Sequence, residues 1–224
     1  MPRKIAGVPR ECGRATLGGM RALAFTFVVG CLIAGCSRKP KHPEVAVTVP
    51  AWQSLVCVVA GPDAHVVAAE GATEPARLVF RNGLGLAEPQ ALLAPSGKVI
   101  TLGDRVPALA DAAATSPYAW TDPQRARLAV QVIGEELARA DAAKAKEYRT
   151  RAKELDARLA ELDEQFKNTL PAGARVPVEA RYFAERYGLG VDTERHLPAV
   201  TMPVQSCNAG YFTMMLAVAD SAKK

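Results

Sequence analysis

Between Asp122 and Leu170 the chain carries one proline, Pro123, at the very start and one glycine, Gly134, while its apolar residues recur at helical spacing. No strand pattern accommodates that stretch, so long helices dominate the second half of the fold. Thr121 or Asp122 is placed to cap a helix whose first position Pro123 fills at no cost, because an N–H there would lack an intrahelical partner anyway. Ala129, Val132, Ile133, Leu137 and Ala140 then share one face. Asp141 recaps a second segment in which Tyr148, Ala152, Leu155, Leu159, Leu162 and Phe166 alternate by fours and threes until "PAG" at 171–173 ends it. Glu147 with Arg151, and Glu154 with Arg158, predict exposed i,i+4 pairs worth about 0.3 kcal/mol each. Such a stripe suits a coiled coil; within a mixed chain, one long helix packed on a larger body is the expectation.

The first half reads differently. "EVAVTVP" alternates and is β-branched, predicting a strand over Glu44 to Val49, and "AWQSLVCVVAG" predicts a helix closed by Gly61. "AHVVAAEG" gives a second short strand with His65 at its start, Leu78 to Phe80 a third, and "KVITLGD" a fourth. Strands alternating with helical spans predict an α/β fold with a mainly parallel sheet. Ligands of such sheets sit beyond the carboxyl ends of the strands, where Asn82, Gly83 and Gly85 fall. "NGLGLAE" is neither a dinucleotide fingerprint nor a phosphate loop, so a tight turn is the better reading.

Ahead of these elements lies a leader. Ala22 to Gly35 is uncharged and apolar, too short for a comfortable bilayer span, preceded by Arg21 and followed by Cys36 and "SRKPKH". Its end, "LIAGC", resembles the lipobox of bacterial lipoproteins, which makes Cys36 the lipidated first residue of the mature chain. A generic secretion signal or an uncut anchor shares that layout. Met20 followed by Arg21 would begin a compact signal, so Met20 is the expected start. The "SRKPKHPE" segment, with His42, reads as a polar tether.

Charge and cysteines narrow the classes further. The net formal charge is +5, but five basic residues against Glu11 in the first 35 positions account for most of it, so the body is near neutral and no nucleic-acid surface is implied. Of the five cysteines, only Cys57 and Cys207 remain in the folded body; two solitary buried thiols are expected, with a disulfide left open. There is no nucleophile elbow, no HExxH and no clustered acid/base set, so an enzyme is not expected.

Four stretches in order, "LVFRNGLGLAEP", "KVITLGD", "SPYAWTDPQRARLAVQVIGEELARADAAKAKEYRTRAKELDARLAELDEQF" and "RYFAERYGLGV", resemble the zinc- and manganese-type solute-binding proteins of bacterial ABC importers. The resemblance spans residues 44–191, with a weaker echo in "GYFTMMLAVADSAKK". It implies an α/β, two-lobe architecture with a long inter-lobe helix, the second lobe here abbreviated. The expected organisation is a lipoprotein signal over 1–35, a lipidated tether over 36–43, an N-terminal α/β lobe over 44–140, a linking helix over 141–170 and a truncated C-terminal lobe over 171–224.

The resemblance also locates the ligand cleft. Where such proteins carry a metal-binding histidine two residues before the Trp of the corner, this chain has Tyr118. "EGATEP" puts Gly71, with Glu74 nearby, at the first histidine position, and "RVPVEARYF" offers Pro177, Val178 and Glu179 near the third. His42, His65 and His196 are dispersed along the sequence. Zinc and manganese require several donors converging on one point, and a neutral phenol replaces imidazole poorly. The expectation is a monomeric component anchored through Cys36 and facing the periplasm or cell exterior, serving an ABC permease. Zinc or manganese is the implied cargo, but the metal ligands are undetermined, and Tyr118 is expected to fill, or to hydrogen-bond across, the space a metal would take. The alternative is an envelope interaction protein built on the same scaffold.

Overall fold

A computed structural model describes residues 45–69, 76–86, 88, 97–109, 116–197 and 210–223. The chain divides into two units, 1–39 and 40–224, and every described residue belongs to the second. Cys36, Gly71, Glu74 and Cys207 lie outside the described residues.

The first strand, β1 (Val45–Val47), passes after two residues into α1 (Pro50–Ala60). Then come β2 (Val66–Ala68), β3 (Leu78–Arg81) and β4 (Lys98–Thr101). These strands form one parallel sheet in the order β2-β1-β3-β4, with Val45 opposite both Val66 and Leu78, and Leu78 opposite Lys98. Alternation sorts the side chains. Val45, Val47, Leu78, Phe80 and Ile100 join the main core, whereas Ala46 and Val79 pack on the opposite face.

Helix α1 is buried almost all round, as its uniformly apolar sequence requires, because β1, β2 and three other helices surround it. Gly61 stops it in a positive-φ conformation (φ 81°). The last carbonyls of α1 are met by Arg151, whose Nε donates to Val59 O at 2.7 Å and whose Nη2 donates to Ala60 O at 2.9 Å.

Helices α2 (Pro123–Ala140) and α3 (Ala145–Thr169) fold back on each other as an antiparallel pair. Arg127 meets Asp156, and Arg149 meets Glu135, so residue numbers rise on one helix as they fall on the other. Gly134 allows the close approach: a Cβ there would stand 2.6 Å from that of Ala152. Asp122 is the α2 cap, its side chain accepting from Gln124 N at 2.8 Å. The expected α3 stripe, Tyr148 to Phe166, is buried throughout.

Two details of the helical expectation fail. Ala140 is exposed, because the last turn of α2 runs past the core. The pair expected between Glu154 and Arg158 does not form among the described contacts; the Arg158 guanidinium lies over the Phe212 ring instead, 4.6 Å from its centroid. Arg151 does reach Glu147, at 3.3 Å.

Beyond α3, β5 (Arg175–Pro177), α4 (Arg181–Tyr187) and β6 (Gly190–Asp192) form a small parallel unit in which Arg175 pairs with Gly190. The final helix, α5 (Gly210–Ser221), packs on α1 and β5. One continuous apolar core runs from the first sheet to this C-terminal unit.

A partly buried charge network joins α2, α3 and α4. Arg125 donates to Asp122 at 2.6 Å and to Glu185 at 2.7 Å, and lies over the Tyr182 ring. Arg186 grips Asp163 through two nitrogens, and Tyr187 Oη donates to the same carboxylate at 2.8 Å. Burial opposes the Asp163 charge, yet the hydrogen bonds from Arg186, Tyr187 and Lys167 prevail and bring its pKa down to about 2. At Asp122 burial prevails and the carboxyl is pushed up.

Candidate functional site

The cleft is assembled around Asn82, at the carboxyl end of β3. Its side chain is fully buried: Oδ1 accepts from Trp52 Nε1 at 2.8 Å, while Nδ2 donates to Gly83 O at 2.8 Å and to Pro117 O at 2.9 Å. One amide thereby ties α1, the glycine turn and the Ser116–Pro123 corner together. The Glu88 carboxylate supports the turn, accepting from Asn82 N at 2.6 Å, from Gly83 N at 3.1 Å and from the Thr48 hydroxyl. Gly83, Leu84 and Gly85 all take positive φ there, the tight turn that the sequence implies.

The corner is rigid for local reasons. Ala119–Thr121 form a 3-10 turn in which Thr121 Oγ1 donates to Tyr118 O at 2.8 Å, and Pro123 then fixes the helix start. From α5, Tyr211 Oη donates to Trp120 O at 2.8 Å. Trp120 is the middle of an aromatic row, edge-on to Trp52 at 6.0 Å and to Tyr118 at 5.3 Å, with the Tyr118 and Trp120 planes at 89°.

Beside this row lies a cavity of about 260 Å³. Val49, Pro50 and Ala51 at the start of α1 form one wall; Tyr118, Trp120 and Thr121 of the corner form the second. Glu179 and Leu197 close the third side, and Met214, Ala217 and Val218 of α5 the fourth. The lining is chiefly apolar, with one carboxylate. Tyr118 and Glu179, 61 positions apart in sequence, are thus brought to one cleft. Tyr118 remains half-buried and lines the cavity without filling it.

Glu179 Oε1 lies 2.7 Å from His196 Nδ1, and Oε2 accepts from Leu197 N at 3.0 Å. Burial pushes its carboxyl up, but these contacts hold it below the usual range. Sequence reasoning missed His196. The two residues meet because each follows the carboxyl end of a parallel strand, β5 and β6, and such neighbours place their following loops at one edge. His65, by contrast, is exposed at the entrance to β2, where its carbonyl accepts from Val45 N.

Among the described residues no group of three or more His, Cys, Asp or Glu converges to hold a metal ion. The cleft offers one carboxylate whose two oxygens already have partners, one phenol and, on its outer side, one imidazole. Zinc normally takes four such donors.

A four-stranded parallel sheet, two long paired helices and a second βαβ unit make an α/β architecture, the fold of solute-binding proteins. The family described as zinc-uptake complex component A, periplasmic, matches residues 68–205, more than half of the chain, and the chain belongs to it. Proteins of this family are metal carriers of ABC import systems and not enzymes. Comparison with the curated proteins gives no match. Among solved structures, the solute-binding protein FpvC from Pseudomonas aeruginosa in complex with Mn²⁺ is 25% identical with a TM-score of 0.58, covering 67% of this chain and 67% of that one. FpvC with Ni²⁺ aligns at 21% identity and a TM-score of 0.59, over 80% of this chain and 76% of the other. The periplasmic zinc-binding protein TroA from Treponema pallidum gives 21%, 0.53, and 70% of each chain.

Proposed function

We propose that this chain is a lipid-anchored, extracytoplasmic solute-binding component of an ABC importer whose cargo site has departed from the histidine-based metal site of its family. The observation that carries this reading is the cavity beside Trp120, where Tyr118 stands at a position that the family resemblance assigns to a metal ligand and Glu179 lies near another. Glu179 is committed to His196 and Leu197 N. A phenol and a committed carboxylate hold a transition metal far more weakly than several converging imidazoles do. Gly71 and Glu74 belong to the same proposed cleft through the resemblance alone. The organisation into a lobe over 44–140, a linking helix over 141–170 and a shortened lobe over 171–224 is part of the proposal, as is a monomeric state.

Two measurements test it. Changing Cys36 to Ser should release the protein from membranes; continued attachment with the leader removed would refute the anchor. In a thermal melt, zinc or manganese at 100-fold excess over a working Kd would stabilise a receptor by about 2.7 kcal/mol. The altered site predicts no such gain for this chain.

A further inference from the structure

If the cleft is a solute site that has lost its metal ligands, its remaining chemistry points to a different cargo. We infer that it takes a compact organic cation, an alkylated ammonium group, held by Tyr118, Trp120 and Glu179.

Three features converge on this class. Tyr118 and Trp120 stand at 89° with centroids 5.3 Å apart, and both line the cavity. Rings arranged as a T leave a corner beside the stem, where a guest meets the face of each; aromatic faces are the negative regions of the rings and attract cations. The second feature is the Glu179 carboxylate, the only formally charged group among the described residues that line the cavity. It supplies the counter-charge. The third is the rest of the wall: Leu197, Met214 and Val218 offer apolar contact, and the Thr121 hydroxyl already donates to Tyr118 O.

A bare divalent ion finds too few donors in such a space and remains hydrated. A trimethylammonium group is its chemical opposite. Its charge is spread over methyl groups that require no hydrogen bonds, so it loses little on leaving water for aromatic and aliphatic walls. The size agrees. A cavity of about 260 Å³ is far more than one metal ion fills and enough for a small organic molecule.

The test is calorimetry and tryptophan fluorescence on the full mature chain with choline, trimethylglycine, the neutral choline isostere 3,3-dimethylbutan-1-ol, and zinc chloride. Saturable 1:1 binding of choline or trimethylglycine is expected, with the neutral isostere at least about tenfold weaker. Tyr118→Leu, which keeps an apolar wall but removes the ring, should weaken cation binding by about 2–30-fold. Glu179→Gln should weaken it as well, with circular dichroism checking that each variant folds. Equal affinity for the neutral isostere would overturn the inference, as would no saturation by either cation at concentrations on the order of 10 mM. The failures are separable. Tight uptake of one equivalent of zinc refutes the altered-site reading itself, whereas silence towards both zinc and the cations refutes only this inference.

Discussion

Replacing Asn82 with Ala should cost more than any other single polar change near the cleft, and the structure supplies the magnitude. The change deletes the acceptor of the fully buried Trp52 Nε1–H and the donor to Pro117 O, along with the local bond to Gly83 O. Each buried group left without a partner costs about 1–3 kcal/mol. Water can reach the partly exposed corner near Pro117 but not Trp52, so the estimate is about 3 kcal/mol, a large fraction of a typical domain's 5–15 kcal/mol. For a chain of this size that lowers Tm by roughly 6–12 °C. Urea unfolding followed by tryptophan emission measures it, and the native emission should shift as Trp52 loses its partner. A loss below about 1 kcal/mol with unchanged emission would refute the reasoning that Asn82 holds α1, the glycine turn and the corner in one frame.

Tyr118→Ala should cost only about 1–2 kcal/mol in the same assay, because a half-buried ring loses one edge-on aromatic contact and part of its apolar burial; a loss of 4 kcal/mol, in the range of large-to-small core changes, would show a filled cleft. Asp163 has its pKa lowered on folding, so its contribution is present above the unfolded value near 4 and disappears as pH falls towards 2. Wild-type stability should drop by about 2 kcal/mol through that window, and Asp163→Asn should flatten this part of the profile. Gly61→Ala should destabilise by about 1–2 kcal/mol, since φ is positive and a Cβ would stand 2.9 Å from Arg151 Cζ; an unaffected midpoint would deny that Arg151 closes α1.

The sequence made the first sheet and the two long helices legible, though not their antiparallel pairing, because each carried redundant signals: β-branched alternation in β1, Gly61 after α1, Asp122 and Pro123 before α2, and a six-residue stripe along α3. The β5–α4–β6 unit was not legible as strands. Arg175–Pro177 and Gly190–Asp192 have three residues each, too few to show alternation, and Pro177 argues against a strand on local grounds. Arg158 shows the same limit: helical spacing offers Glu154, but the tertiary fold supplies the face of Phe212. Within the site, the family resemblance proposed Tyr118 and the segment from Pro177 to Glu179 as cleft candidates. The contact of Glu179 with His196 depends on two parallel strands lying side by side, which no local pattern encodes.

The central claim is that this scaffold has kept the cleft of a metal receptor while losing the metal. Its most direct test is the metal content of mature protein purified without a histidine tag and equilibrated with limiting zinc and manganese, then freed of excess by gel filtration. The account predicts far less than one equivalent of either metal retained per chain. Retention of one equivalent, abolished by changing Tyr118 to Phe and Glu179 to Gln together, would contradict it and establish a working receptor with an unusual ligand set.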